Sequence, residues 1–309
     1  MMIAASIDIC VCTFRRPALA ETLRSLAAME MPAGYRIGVI VADNDDGPSA
    51  RALVDELAAQ LALPISYVHC PARNISIARN ACLEASSADF VAFIDDDEKA
   101  TSQWLARLAE TAEATSADVV LGPVRARYSS TAPRWMRTGD FHSTYPVFVS
   151  GQIRTGYTCN VLLRTKAASI AGRRFSLARG QTGGEDTEFF DQVFEAGGAI
   201  AYAADAWVEE PVPATRATLG WLTKRRYRVG QTHGRLLASK TSGMCLIPAF
   251  ALASAKAGYC FFAAGIGVFR PVGRSRSLLR GVMHVGVLSG LIGVREIRLY
   301  GSEGGQRAA

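Results

Sequence analysis

No C-x-x-C pair occurs in these 309 residues, and the seven cysteines and four histidines nowhere take the spacing of a zinc site. Cys10 and Cys12 stand in an apolar run and Cys82 in a helical pattern, which suits buried free thiols in a reducing compartment. The opening MMIAASIDIC reaches Asp8 without a Lys or Arg, so no signal peptide is expected and the cytoplasm is the default. No G-x-G-x-x-G follows the first apolar run and no G-x-x-x-x-G-K-[ST] occurs, which excludes a Rossmann dinucleotide fingerprint and a P-loop. Acid is scarce at the back. Residues 215–309 carry 15 Lys or Arg against two acids, Glu296 and Glu303, a local charge of +13. The preceding 214 residues carry 19 basic and 26 acidic groups, a local −7, which brings the total to +6. Nucleic acid is not expected as a partner, because no interleaved aromatic and basic pattern accompanies that charge. An anionic membrane surface is expected instead.

What is present begins with alternation. Apolar runs at 7–14, 36–45, 65–70, 90–97 and 117–128 read as strands. Helical spacing separates them: Leu19, Leu23 and Leu26 in the first interval, and Leu53, Val54, Leu57 and Leu61 in the second. A third helix covers 75–87, and Thr101 or Ser102 can cap a fourth that carries Trp104, Leu105 and Leu108. Continuous apolar strands alternating with amphipathic helices predict an α/β fold, a parallel sheet covered on both faces. Ligands of such sheets bind beyond the carboxyl ends of the strands. Those tips carry Thr13-Phe14-Arg15, Asp43-Asn44-Asp45 and Asp95-Asp96-Asp97. Past residue 129 the alternation stops, and CNVLLRT at 159–165 reads as one more short strand.

Three like charges at one tip need a positive partner. A solvated, helix-capping turn would supply it with water. A hard divalent cation would supply it with purpose, since alternate strand residues share a face and Asp95 and Asp97 could converge while Asp96 points away. The run TGGEDTEFF at 182–190 also reads two ways. Acids favour a helix's first turn, yet the glycines of 180–184 offer a lid and Phe189 and Phe190 an anchor behind Glu185 and Asp186.

CTFRRP at the first tip, ADND at the second, ARNISIARNACLEASSADFVAFIDDDE and GGEDTEFF together resemble the family 2 glycosyltransferases with the GT-A fold, over roughly residues 7–230. They resemble in particular the bacterial exopolysaccharide glucosyltransferases of the succinoglycan type. The resemblance implies a GT-A domain over 1–235, with a nucleotide-binding half at 1–128 and an acceptor half at 129–235, followed by an apolar and basic helical region at 236–309. It implies that Thr13, Arg15, Asp43 and Arg79 hold the uracil of a UDP-sugar. Asp95, Asp96 and Asp97 would contact the ribose and diphosphate, with Mg²⁺ or Mn²⁺ on Asp97 and Asp95. Asn160 resembles a donor-pocket asparagine, although Cys159 beside it departs from the smaller residue usual there. Asp186 matches the general base, with Glu185 its partner. Arg225, Arg226 and Arg228 fall where family members meet acceptor phosphates, but the Q-x-x-R-W of processive polymerases is absent.

The reaction so implied is inverting transfer of a hexose, glucose by this likeness, from a UDP-sugar to a sugar hydroxyl of a lipid-linked oligosaccharide. A nucleotidyltransferase would bring a glycine-rich basic loop after the first strand, and CTFRRPALAE has no glycine. A non-catalytic nucleotide-sugar-binding module would have no use for the Glu-Asp pair. In the tail, the apolar run 244–269 could span a bilayer, but Lys256 at its centre costs about 2.5–3.5 kcal/mol. The run 281–294 is too short to return across. A peripheral or re-entrant helical pair on the cytoplasmic face of the cell membrane is expected, with Arg270, Arg274, Arg276 and Arg280 on headgroups and Phe261, Phe262 and Phe269 in the acyl boundary.

Overall fold

The computed structural model describes residues 5–241, 243 and 246–295. Residues 1–4 at the start, Met244 and Cys245 at the head of the apolar run, and the acids Glu296 and Glu303 lie outside the described residues. The chain divides into two compact units. The first takes the described residues up to Arg127, Ser143–Gln181 and Glu185–Pro211; the second takes Tyr128–His142, Thr182–Gly184 and the described residues from Val212 onward.

The first unit is built as the alternation predicts: β1 (Ala5–Thr13), α1 (Leu19–Ala28), β2 (Tyr35–Asp43), α2 (Arg51–Gln60), β3 (Ile65–His69), α3 (Ile75–Ala85), β4 (Phe90–Asp95) and α4 (Trp104–Thr115), with a two-residue β5 (Lys99–Ala100) between the last two. Then come β6 (Val119–Leu121), β7 (Val124–Tyr128), β8 (Phe148–Val149), β9 (Gln152–Ile153), β10 (Asn160–Arg164), α6 (Glu185–Glu195), β11 (Ile200–Tyr202) and β12 (Val208–Val212). The sequence-number gap holds α5 (Arg134–Gly139), a short helix of the second unit.

Seven strands form one sheet in the order β11-β6-β10-β4-β1-β2-β3. The sheet is mostly parallel, as expected, with one strand reversed. β10 runs antiparallel to both β4 and β6, because it returns from the chain's less regular stretch instead of crossing over through a helix. The expected strand at 117–128 breaks at Gly122-Pro123, and its second half becomes β7 in a separate three-stranded sheet, β5-β12-β7. A Cβ at Gly122 would lie 2.5 Å from the Ala206 carbonyl and from the Asn160 amide, so only glycine passes there.

Both faces of the large sheet are covered. Leu19, Leu23 and Leu26 of α1, Val54 and Leu57 of α2, and Trp104, Leu105 and Leu108 of α4 are buried on one side; Ala78 and Cys82 of α3 and Phe189, Phe190 and Val193 of α6 are buried on the other. The capping expectation for α4 fails. The N-cap residue is Gln103 and no side chain caps the helix; Thr101 Oγ1 donates to the Trp207 carbonyl and Ser102 Oγ to Glu30. Asn74 does cap α3, accepting from the Ser76 N–H at 3.0 Å.

The second unit contains α7 (Leu219–Lys240), α8 (Leu246–Ile266) and α9 (Pro271–Leu291). The boundary expected at residue 235 falls inside the continuous α7. The apolar run expected at 281–294 is the second half of α9, and its glycines explain its composition. A Cβ on Gly230 of α7 would lie 2.0 Å from the Met283 carbonyl, and one on Gly290 of α9 would lie 2.4 Å from the Gln231 carbonyl. Gly230 and Gly234 therefore face Gly286 and Gly290, small-xxx-small against small-xxx-small, which lets two backbones touch. Helix α8 is the one described helix long and apolar enough to cross a membrane by length and composition, and only 17% of that window is buried.

Candidate active site

The tips of β1, β2 and β4 lie side by side because the sheet registers Thr13 with Asp43 and Cys12 with Asp95. Strand β4 stops at Asp95, and residues 96 and 97 enter a turn. The two-residue alternation therefore ends one residue too early to pair Asp95 with Asp97. Asp96, expected to point away, turns inward and accepts from Thr13 Oγ1 at 2.7 Å. Arg16, a residue the sequence reading did not single out, faces Asp96 at 3.9 Å and Asp97 at 3.4 Å. It is the positive partner that part of the triple aspartate requires.

Asp95 sits with Glu98 and Cys159, their ligating atoms all within 4.8 Å of one another. Glu98 is buried and accepts from the Asp95 backbone N–H at 3.0 Å. Burial raises the pKa of Asp95 to about 6, and Asp97 adds to the shift while Arg79 opposes it. Burial raises Asp96 to about 7, with Asp97 next in effect. Glu98 is pushed well above the carboxylate range by burial, then by Asp95 and Glu210. The Cys159 thiol is likewise raised by burial and by Glu98 and Asp95, so it holds its proton. The convergence of the Asp95 and Glu98 carboxylates on one point fits a hard divalent ion held by carboxylate oxygens.

At the β2 tip Asp43 is fully buried and fully engaged. Its Oδ1 accepts from the Asp45 N–H at 3.1 Å; its Oδ2 accepts from the Ala50 N–H and the Tyr67 hydroxyl, each at 2.8 Å. The next residue, Asn44, is buried with its Oδ1 unpartnered. Arg15 adopts a left-handed backbone (φ +53°) and places its Nε 2.8 Å from both Asp45 oxygens, which holds that carboxyl below its usual pKa.

Helix α3 presents Arg79, 6% exposed, to Glu185 at the first position of α6, and the two form a buried ion pair. Burial alone would lower the arginine's pKa; the carboxylates of Glu185, Asp186 and Asp95 reverse that and keep it charged. Asp186 accepts from the Thr187 N–H at 2.6 Å. Burial raises its pKa to about 6, Glu185 adds to the shift, and Arg79 opposes it. The expected anchor is in place: Phe189 stacks on Phe175 with centroids 4.3 Å apart. The glycine stretch expected to give a lid begins at Gly180. Gly180 lets the chain pass where a Cβ would meet Asn74 Oδ1, and its carbonyl accepts from the Ile75 N–H at 3.1 Å.

Asn160 is wholly buried and spent on the fold, accepting from Trp104 Nε1 at 2.8 Å and donating to the carbonyls of Pro123 and Ala206. In the second unit, Arg225 lies over the Trp221 ring at 5.3 Å, and Trp221 stacks on His142. Burial, then Arg225 and Arg280, lower the pKa of Arg226, which marks a cluster of three guanidinium groups. Arg228 is turned the other way, onto the Thr182 carbonyl.

A mixed sheet of this order, with acids beyond the β2 and β4 tips and an acidic pair opening a following helix, is a GT-A-type fold. The model of glycosyl transferase family 2 matches residues 8–172. The chain is 60% identical to the succinoglycan biosynthesis protein ExoM of Rhizobium meliloti (strain 1021), covering 96% of each. This protein belongs to glycosyl transferase family 2. Its fold is similar to that of the mannosyltransferase PcManGT from Pyrobaculum calidifontis in complex with GDP-Man and Mn²⁺ (TM-score 0.63, 15% identity, 94% of this chain and 88% of that one). It is also similar to residues 1–349 of S. aureus TarS in complex with UDP-GlcNAc (TM-score 0.52, 16% identity, 93% and 92%), and it spans 55% of the longer TarS chain.

Proposed function

We propose that the protein transfers a hexose, glucose foremost, from a UDP-sugar to a sugar hydroxyl of a lipid-linked oligosaccharide, with inversion, in assembly of a succinoglycan-type exopolysaccharide. One observation carries this reading. Of the two adjacent acids, Glu185 is locked to Arg79, while Asp186 has no ion-pair lock among the described residues and a pKa of about 6, a general base poised for neutral pH. Asp186 accepts the proton of the acceptor hydroxyl as its oxygen attacks the anomeric carbon, and the carbon–oxygen bond to the diphosphate breaks with its electrons going to UDP. Asp95 and Glu98, whose ligating atoms converge, would hold Mn²⁺ or Mg²⁺, with Asp97 on the adjoining turn. When bound, the ion supplies charge neutralisation to the departing diphosphate. Asn44 is suited to the base, because an amide can accept from the uracil N3–H and donate to a neighbouring carbonyl, whereas Asp43 is already satisfied. Thr13 and Arg15 stand at the adjoining β1 tip, Thr13 in register with Asp43 and Arg15 paired with Asp45. The relative's name supports the polysaccharide, and the TarS complex supports the UDP-sugar class.

The acceptor's lipid fits the tail. Helix α8 exposes Ile247, Leu252, Tyr259, Phe262 and Ile266, and Phe269 follows it at 93% exposure. Arg225, Arg226 and Arg280 form a cationic cluster suited to a phosphate. Lying along the cytoplasmic face of the membrane would bury the apolar side chains and leave the arginines on headgroups.

The metal is tested without turnover. Mn²⁺ should raise the melting temperature at pH 7.5 and should do so much less at pH 5. The sign follows from the raised pKa values: the acids of the cluster carry protons at the lower pH, and ion and proton compete for the same oxygens. An equal shift at both pH values, or none at either, would remove the metal from this site.

A further inference from the structure

Cys159 is the member of the acidic group to which the transfer chemistry gives no task, and the backbone itself brings it there. Strand β4 ends at Asp95. The turn that follows closes on itself: the Glu98 N–H donates to the Asp95 carbonyl at 3.2 Å, and Glu98 Oε2 accepts from the Asp95 N–H at 3.0 Å. Strand β10 enters antiparallel to β4 with Asn160 opposite Ile94, so the residue before it, Cys159, falls opposite Asp95. One ligating atom from each residue, two carboxylate oxygens and a sulfur, therefore lies within 4.8 Å of the other two. All three residues belong to the first unit. Much of their bonding capacity is unspent. Glu98 is 1% exposed, yet among the described residues its Oε1 has no hydrogen-bond partner. The Asp95 carboxylate and the half-buried Cys159 sulfur have none either. The charges that face Glu98 are those of Asp95, Glu210 and Asp97, all negative.

We infer that Cys159 Sγ is a third ligand to the divalent ion at Asp95 and Glu98, a mixed carboxylate–thiolate set that takes Mn²⁺ before Mg²⁺ and Zn²⁺ before either. This rests on the reading of Asp95 and Glu98 as the ion's carboxylate ligands. The distances allow it. Bonds to Zn²⁺ run about 2.0–2.2 Å from oxygen and about 2.3 Å from sulfur, so side-chain shifts of about 1 Å or less close the group around one ion. The metal–sulfur bond forms as the thiol proton leaves to solvent. Sulfur then decides the ranking. Mg²⁺ keeps to oxygen ligands and gives up its waters reluctantly, whereas Zn²⁺ accepts a thiolate readily. Mn²⁺ stands between them, an ion of carboxylate sites that is larger and less demanding than Mg²⁺. A serine at this position would leave an oxygen-only set with no reason to refuse Mg²⁺.

Co²⁺ is the probe, since its absorption spectrum reports the ligands it has taken. Three full-length proteins, wild type, Cys159→Ser and Cys159→Ala, are titrated with Co²⁺ in the absence of nucleotide. Wild type should develop a near-ultraviolet sulfur-to-cobalt charge-transfer band, and both variants should lose it while still binding the ion. Zn²⁺ affinity, read by competition against a chelating dye, should fall about 10–10²-fold in both variants, while Mg²⁺ affinity does not fall by more than about twofold. Wild type that binds Co²⁺ without the sulfur band would overturn the inference and leave the two-carboxylate ion site standing. So would a sulfur band that survives in Cys159→Ser, which would put a different cysteine on the ion. Wild type that binds none of Co²⁺, Zn²⁺ and Mn²⁺ would refute the inference and the ion site together.

Discussion

Replacing Asp186 with Asn should lower turnover about 10²–10⁴-fold, the range that a positioned general base supplies. The amide keeps the size of the side chain and can still accept from the Thr187 N–H, so folding and UDP affinity should be close to wild type. The pH profile gives the sharper signature. A base works only when deprotonated, and burial places the Asp186 pKa at about 6. Wild-type kcat should therefore rise with pH through about 6 and level off above it, whereas the Asn variant should lose that limb. Glu185 is a poor substitute for the role, since one of its oxygens is engaged by Arg79 and the other is buried without a partner. The checks are kcat against pH for both proteins and calorimetric titration with UDP. An Asn variant with near-normal turnover would move the base elsewhere.

Replacing Arg79 with Met should be the most damaging single change to the first unit. It leaves the Glu185 carboxylate buried, 3% exposed, with its countercharge gone. Breaking one side of a buried pair costs about 3–5 kcal/mol, because the remaining charge is stranded. Removing both charges together, as Arg79→Met with Glu185→Leu, should recover most of that loss, since a well-packed apolar pair of similar volume is often neutral. Function separates the two effects. Arg79 also lowers the Asp186 pKa, so in any Arg79 variant that folds the acid limb of kcat should move to higher pH. Urea unfolding of the wild type and the two variants measures the first part and the pH profile the second. A single variant as stable as wild type would show that the pair contributes nothing to the fold.

The parts of this molecule that were legible in its sequence are those set by local periodicity. Leu19, Leu23 and Leu26 had to share a face, and Phe189 and Phe190 had to stand behind Glu185 and Asp186, whatever the rest of the chain did. The strand tips were legible for the same reason. What each tip residue does there was not, because that depends on partners far away in sequence. Asp43 is satisfied by Tyr67, 24 residues on, and Asn160 by Trp104, 56 residues back. Arg79 finds Glu185 across 106 residues. Nothing local distinguishes an aspartate that will be consumed by the fold from one that will face a ligand. The one available hint was Asn44 itself, a neutral amide set among three acids. Arg16 was overlooked because Arg15 beside it carries the family likeness, yet Arg16 is the one facing Asp96 and Asp97. In the tail, the glycine-rich composition read as an apolar membrane run, and half of it is the contact by which α9 meets α7.

The central claim is a single displacement at the anomeric carbon with Asp186 as base and no covalent sugar intermediate. The anomeric configuration of the product tests it most directly. Purified protein should be given Mn²⁺, a UDP-hexose of α configuration and an oligosaccharide acceptor, and the new linkage read from its proton coupling in NMR. A β linkage formed with equimolar UDP release is the expected result. An α linkage would contradict it, since retention needs either a nucleophile on the protein or attack from the face the diphosphate leaves.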